Sequence, residues 1–229
     1  MTEWTIDAVF VGTLKPLGPR GVLSGIFKQE ATAPVAVGKT GLAGDHQGDT
    51  RVHGGPEKAL HLYPARHYRS WRGEFPEMAG SLAAGAFGEN ISVPAIGEED
   101  ICIGDTLRLG TALVQFSQGR QPCWKLNERF GQKTMAARVQ ETGRTGWYFR
   151  VLEEGTVAAG DRLVLMERPQ PEWTLARVTD LLYRDRLNYE ALAELADNAL
   201  LAWSWRKLAQ RRLERRQVED WSKRLKGSF

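Results

Sequence analysis

Cysteine is scarce in this chain of 229 residues: there are two, Cys102 and Cys123. That is too few for a disulfide-stapled scaffold or for a cysteine-held iron–sulfur cluster. No stretch approaches the run of about 18 apolar residues that a membrane helix needs. The start, MTEWTIDAVFVG, carries Glu3 and neither a basic n-region nor a small-residue cleavage site. The expectation is therefore a cytoplasmic protein with reduced thiols and no membrane contact. No G-x-G-x-x-G fingerprint for a dinucleotide occurs. The four histidines, His46, His53, His61 and His67, stand seven, eight and six apart, which matches no helical zinc pair.

Charge of one sign is also in short supply. The net charge is +3. Residues 171–229 carry 12 Lys/Arg against 9 Asp/Glu, and the remainder holds 19 of each. So small an excess does not point to nucleic acid. With 42% apolar and 26% charged residues, the composition is that of an ordinary globular protein with room for one good-sized domain and an appendage.

What is present, up to about residue 168, is a series of short apolar strands punctuated by glycine and proline. Strands are expected within 4–13, 23–30, 34–37, 90–93, 113–117 and 146–152. Ile101–Leu109 and Val157–Leu165 echo one another as G-D-x-L-x-L, each a Gly-Asp turn opening a strand. Helical pattern is expected over Pro56 to about Ser70 and from Asn127 to about Thr142, the latter stopped by Gly143.

Two stretches carry chemistry. In Phe116–Lys125, FSQGRQPCWK, a strand runs into a Gly-Arg-Gln-Pro turn that presents Cys123 between Arg120 and Lys125. Neighbouring cations favour a thiolate, which can act as nucleophile, redox centre or soft-metal ligand. An isolated cysteine is also often just a small buried hydrophobe. Around His53, Gly54 and Gly55 allow backbone N–H groups close to a ligand. With Lys58 nearby, the turn suits an anion, though a plain loop-to-helix turn has the same look. Asn90 falls where a turn meets a strand, as an Asx-turn residue or a ligand contact.

The tail differs in character. Residues 174–229 contain one glycine, Gly227, and no proline. Thr174 caps one expected helix and Asn188 a second. A third, long and amphipathic, is expected from Asp197 or Asn198 to about Leu225. Its Arg211-Arg212 and Arg215-Arg216 pairs invite comparison with a nucleic-acid reader. Glu214, Glu219 and Asp220 break the basic run, and a solvated face is the better reading.

Taken in order, the motifs are A-G-D-(x)7-H-G-G-x-x-K-A at 43–59, F-G-E-N at 87–90, I-G-D-x-L at 103–107, R-Q-P-C-x-K-L at 120–126 and G-W-Y-x-R-V-L at 146–152. This series resembles the MOSC domain family, named for the C-terminal part of molybdenum cofactor sulfurases. The helical tail makes it similar to the YiiM branch of that family.

The resemblance implies a mostly β fold: a MOSC-type β-barrel with a few short helices over 1–168, then a three-helix domain over 169–229. It implies a molybdenum–molybdopterin cofactor ligated by Cys123. His53, Gly54, Gly55 and Lys58 would hold phosphate or pterin, Asn90 would contact the pterin, and Arg120 would stabilise charge beside the metal. Asp45 would orient the His53 turn. The implied activity is oxidoreductase: reduction of N-hydroxylated compounds, such as 6-hydroxyaminopurine and related base analogues, to amines. Electrons would come from an external donor such as a flavin reductase. Two other readings stand beside it: a molybdopterin or sulfur carrier without turnover, and a cysteine hydrolase using a histidine from 46–67. Substrate, donor and oligomeric state are left open.

Overall fold

The two Gly-Asp echoes become neighbours in space. Thr106–Leu109 and Arg162–Glu167 pair antiparallel, with Leu107 opposite Leu165 and Leu109 opposite Leu163. Alternate leucines thus face one way from adjacent strands, as the shared pattern requires. The computed structural model describes residues 2–49 and 53–227.

The strands in chain order are β1 (Glu3–Thr5), β2 (Ala8–Val11), β3 (Lys15–Leu17), β4 (Val22–Ser24), β5 (Gln29–Glu30), β6 (Val35–Gly38) and β7 (Gly41–Leu42). They continue with β8 (Leu60–Pro64), β9 (Ile91–Val93), β10 (Thr106–Leu109), β11 (Ala112–Gly119), β12 (Trp147–Glu153), β13 (Gly155–Val157) and β14 (Arg162–Glu167). The helices are α1 (Arg66–Glu74), α2 (Lys125–Phe130), α3 (Met135–Thr142), α4 (Leu175–Tyr183), α5 (Tyr189–Asp197), α6 (Trp203–Arg215) and α7 (Ser222–Lys226).

Nine strands form one sheet in the order β1-β14-β10-β11-β12-β8-β9-β2-β5, with small β13-β6-β7 and β3-β4 sheets beside it. Pairing is antiparallel except between β8 and β9. The expected barrel is not found. The sheet is open, because β1 and β5 stand at its two edges and are not hydrogen-bonded to each other. Nor is the chain mostly β, since helical residues about match strand residues in number.

The expected helix over 56–70 is replaced by a single 3-10 turn at Pro56–Lys58, then β8, then α1. All five residues of β8 are buried, because the strand lies between β12 and β9 inside the sheet. A strand covered on both faces loses the alternation that would reveal it. The expected helix over 127–142 is two helices, since Gly131 adopts a left-handed conformation (φ 63°) after α2. Gly143 does end α3.

In the tail, Thr174 and Asn188 cap α4 and α5 as expected, each accepting a backbone N–H three residues on. The third helix is broken. It begins at Trp203 and ends at Arg216, whose φ of 52° puts a non-glycine residue in the left-handed region, and α7 follows separately. Arg212 is buried rather than displayed, paired with Glu219 at 2.8 Å.

The helices do not stand apart from the sheet. Leu175, Leu182, Leu192, Leu195 and Trp205 belong to the same apolar cluster as Leu107, Phe116 and Phe149. Each such side chain contributes roughly 1.5–3 kcal/mol when fully buried. This packing changes β11 along its length. Its first five residues alternate buried and half-buried, and its last three are all buried. There Ala202 N–H donates to the Ser117 carbonyl at 2.8 Å, and Ser204 Oγ donates to Gln118 Oε1 at 2.8 Å. The strand end that leads to Cys123 is therefore clamped from outside. A second cluster, including Tyr63, Tyr68, Trp71, Phe87, Leu126 and Met135, fills the space under α1, α2 and α3.

Candidate functional site

Beyond the end of β11, Arg120 N–H donates to the Gly146 carbonyl at 3.0 Å, which keeps the turn against the start of β12. Cys123 follows, half-buried, and its carbonyl accepts from Leu126 N–H as α2 begins. The turn forms one wall of a cleft.

His53 and Lys58 also line it. Gly55, after His53, has φ 87°, and a Cβ there would meet open space. Lys58 is fixed by its neighbour. The Glu57 carbonyl accepts from Ser117 Oγ at 2.6 Å, and its carboxylate pairs with Arg150 at 2.6 Å.

Of the residues expected in the site, His53, Lys58, Asn90, Arg120 and Cys123 line the cleft together, whereas Gly54 and Gly55 are not among its described lining residues and Gly55 opens on a separate pocket beside Gly41 and Gln47. Asn90 sits at its floor with its amide committed within the chain. Its Oδ1 accepts from His61 N–H at 3.1 Å, and its Nδ2 donates to the Phe10 carbonyl and to Asp45 Oδ2. Asp45 accepts from Gly12 N–H, Gln47 Nε2, Asn90 Nδ2 and Lys28 Nζ. Its link to the His53 turn runs through Gln47, which lies against Gly54. The neighbouring Glu89 points the other way, accepting from Tyr68 Oη at 2.5 Å and Gly85 N–H at 2.6 Å inside the second core. Burial raises its carboxyl above the usual range.

Lys28 and Tyr148 also line the cleft, and neither is expected from the sequence; His46 and His61, two of the histidines on which the hydrolase reading draws, line it as well. His61 and Tyr148 are register partners on β8 and β12, with rings 5.0 Å apart. The one hint in the sequence for Lys28 is a charge directly after the apolar pair Ile26-Phe27. His67 is remote from the cleft and pairs with Glu98 at 2.8 Å. Cys102 is buried, as expected for a core residue, and burial pushes its thiol up to about 11.

The cleft is electropositive. Lys28, Lys58, Arg120 and Lys125 line it, and among the described lining residues Asp45 is the sole carboxylate. His53 is pushed down to about 4, first by burial and then by Lys125, Lys58 and Arg120. His61 is held well below its ordinary range by burial and Arg120. Lys28 is lowered by burial despite Asp45, and Lys58 is lowered by burial while Cys123 acts the other way. His53 and His61 are thus neutral near pH 7.

One buried donor here, Arg120 Nη1, has no hydrogen-bond partner among the described residues. An orphaned cationic donor suits an anionic, hydrogen-bonding guest. Among the described residues, no three His, Cys, Asp or Glu side chains are grouped to hold a metal ion. A metal here would arrive with most of its ligands, leaving Cys123 to add a thiolate.

The MOSC domain profile matches residues 49–164, and the YiiM-like, 3-alpha helix domain profile matches residues 173–216. Protein YiiM of Escherichia coli (strain K12) is 36% identical over 219 residues, covering 96% of this chain and 97% of its own. The crystal structure of YiiM from Geobacillus stearothermophilus is 36% identical with a TM-score of 0.78, covering 93% of this chain and 100% of its own. A Gibberella moniliformis protein called Reductase is 38% identical over 174 residues, 76% of this chain but 31% of its own. The chain belongs to the MOSC family. Its helical tail places it among the YiiM-like members.

Proposed function

We propose that this protein is a molybdenum-cofactor-dependent reductase that converts N-hydroxylated compounds, such as N-hydroxylated base analogues, to amines. The observation that carries the reading is Cys123: a half-buried thiol facing a cleft lined by four cations. MOSC domains are associated with the molybdenum cofactor, and a relative called Reductase supports the redox direction.

Bound in the cleft, the cofactor would supply two-electron removal of oxygen from an N–O bond. The chain's own residues bind and orient. Cys123 would ligate the molybdenum. Lys58 with the Gly54-Gly55 turn would hold the phosphate or pterin, and neutral His53 would offer a hydrogen bond without repelling a cation. Arg120 Nη1 would meet charge on the oxygen or sulfur atoms around the metal. Asn90 would act at one remove, fixing the His61 backbone, while Asp45 holds Lys28 in place.

Reduction of a hydroxylamine to an amine and water consumes two electrons and two protons. With no dinucleotide fingerprint in the sequence, the electrons would come from a separate donor such as a flavin reductase. A cytoplasmic setting fits this supply. Among the described residues, no helix is long and apolar enough to cross a membrane. The cysteine-hydrolase reading is disfavoured, because a His53 held at about 4 is a weak general base near neutral pH.

The test is molybdenum and molybdopterin content of the wild type and Cys123→Ala, both purified from cells that make the cofactor. Assay with a reduced dye and an N-hydroxylated purine follows. Near-stoichiometric molybdenum in the wild type, its loss in the variant with the fold retained, and dye-driven turnover are expected. Pterin in both proteins without molybdenum or turnover would favour a carrier instead.

A further inference from the structure

The two peptide groups flanking Cys123 both end on one residue near the other end of the chain. The Pro122 carbonyl, just before the cysteine, accepts from Arg224 Nη1 at 2.5 Å. The Trp124 N–H, just after it, donates to the Arg224 carbonyl at 2.8 Å. The same guanidinium donates through Nη2 to Gln140 Oε1 on α3 at 2.5 Å, so its fork is fixed at both tips. Asn127 Nδ2 on α2 donates to the Leu225 carbonyl at 2.8 Å, and Leu225 packs on the second core. Gly227 then closes against the Trp124 ring, where a Cβ would lie 2.8 Å from Cγ.

The segment is anchored at its other end as well. It leaves α6 through the left-handed Arg216. Glu219 takes both Arg212 Nε and Nη2, at 2.9 and 2.8 Å, and also accepts from Trp221 Nε1 at 2.7 Å. Arg212 is itself buried and donates to the Leu182 carbonyl of α4. Hydrogen bonds therefore tie the segment to the helical core at one end and to the cysteine turn at the other.

We infer that residues 216–227 form a clasp that sets the Cys123 turn, with Arg224 as its positioning residue. This gives the helical tail a role in the site without contact between its helices and the cofactor. Charge-assisted bonds to backbone carbonyls are among the stronger ones available, and here they hold a turn that has little regular structure of its own. What the positioned sulfur does rests on the function proposed above; where the turn is held does not.

Hydrogen exchange followed by mass spectrometry on the full chain as purified tests the clasp. In Arg224→Ala the Trp124 amide is expected to exchange about tenfold faster, while amides of β11 keep their wild-type rates. Arg224→Lys, which keeps one donor, is expected to restore much of the protection. Unchanged exchange at Trp124 overturns the clasp, and so does an equal acceleration in β11, which would mean general loosening. Molybdenum content then separates the two readings. A normal content in Arg224→Ala, with a loss in Cys123→Ala, overturns Arg224 as a positioning residue for ligation. Molybdenum retained in Cys123→Ala overturns the ligand role and leaves the clasp standing.

Discussion

Asn90 Nδ2 donates to Asp45 Oδ2 at 2.9 Å, joining the F-G-E-N and A-G-D motifs beneath the cleft. The pair is the hub of a buried network in which Asp45 also takes Lys28 and the Gly12 amide. Neither Lys28 nor Asp45 has more than a sliver of exposed side chain. Asp45→Ala would leave an ammonium buried without its counter-charge. The expected loss is about 3–5 kcal/mol of folding stability, measured by denaturant unfolding.

The cations predict a binding effect that is separable from folding. Lys58→Met and Arg120→Met should each lower the molybdopterin recovered with the protein by about tenfold, the scale of one charged hydrogen bond. The exposed Lys133, placed outside the cleft, serves as control, and Lys133→Met should leave the content unchanged. Pterin fluorescence after release and oxidation reads the result. Equal content in all three variants would show that the charge lining does not select the guest.

The histidines predict a pH effect on stability. His53 binds its proton at about 4 in the folded chain and near 6.5 when unfolded. Above pH 6.5 neither state is protonated, and the group costs nothing. As pH falls from 6.5 to 4 the unfolded state gains protons that the folded state refuses, so stability drops by at most about 1.4 kcal/mol per pH unit. His61 acts with the same sign. His53→Gln should therefore flatten part of the acid limb in a series of melting temperatures against pH. An unchanged limb would place its imidazole in a far wetter setting.

Much of the site was legible in the sequence because its members sit at turns. Cys123, Arg120, His53, Lys58 and Asn90 all lie where glycine, proline or asparagine breaks a pattern. Lys28, His61 and Tyr148 gave no comparable signal, because partners distant in the chain bring them in. His61 reaches the cleft only because β8 pairs with β12, and β8 lies within the stretch where Pro56 signals the start of a helix. The helix caps at Thr174 and Asn188 were local and came through. Closure of the sheet was not local. Whether β1 meets β5 depends on accumulated twist and on what covers the edges, which no short pattern encodes.

The bonds from Arg224 to Pro122 and Trp124 bear on when the cleft is finished. During synthesis the cysteine turn emerges about a hundred residues before the arginine that braces it. Once β10 and β11 have emerged they can pair, yet the turn beyond β11 stays unbraced until residues 216–227 follow and fold back on it. The cysteine wall of the cleft is therefore completed late, well after the strand that leads into it.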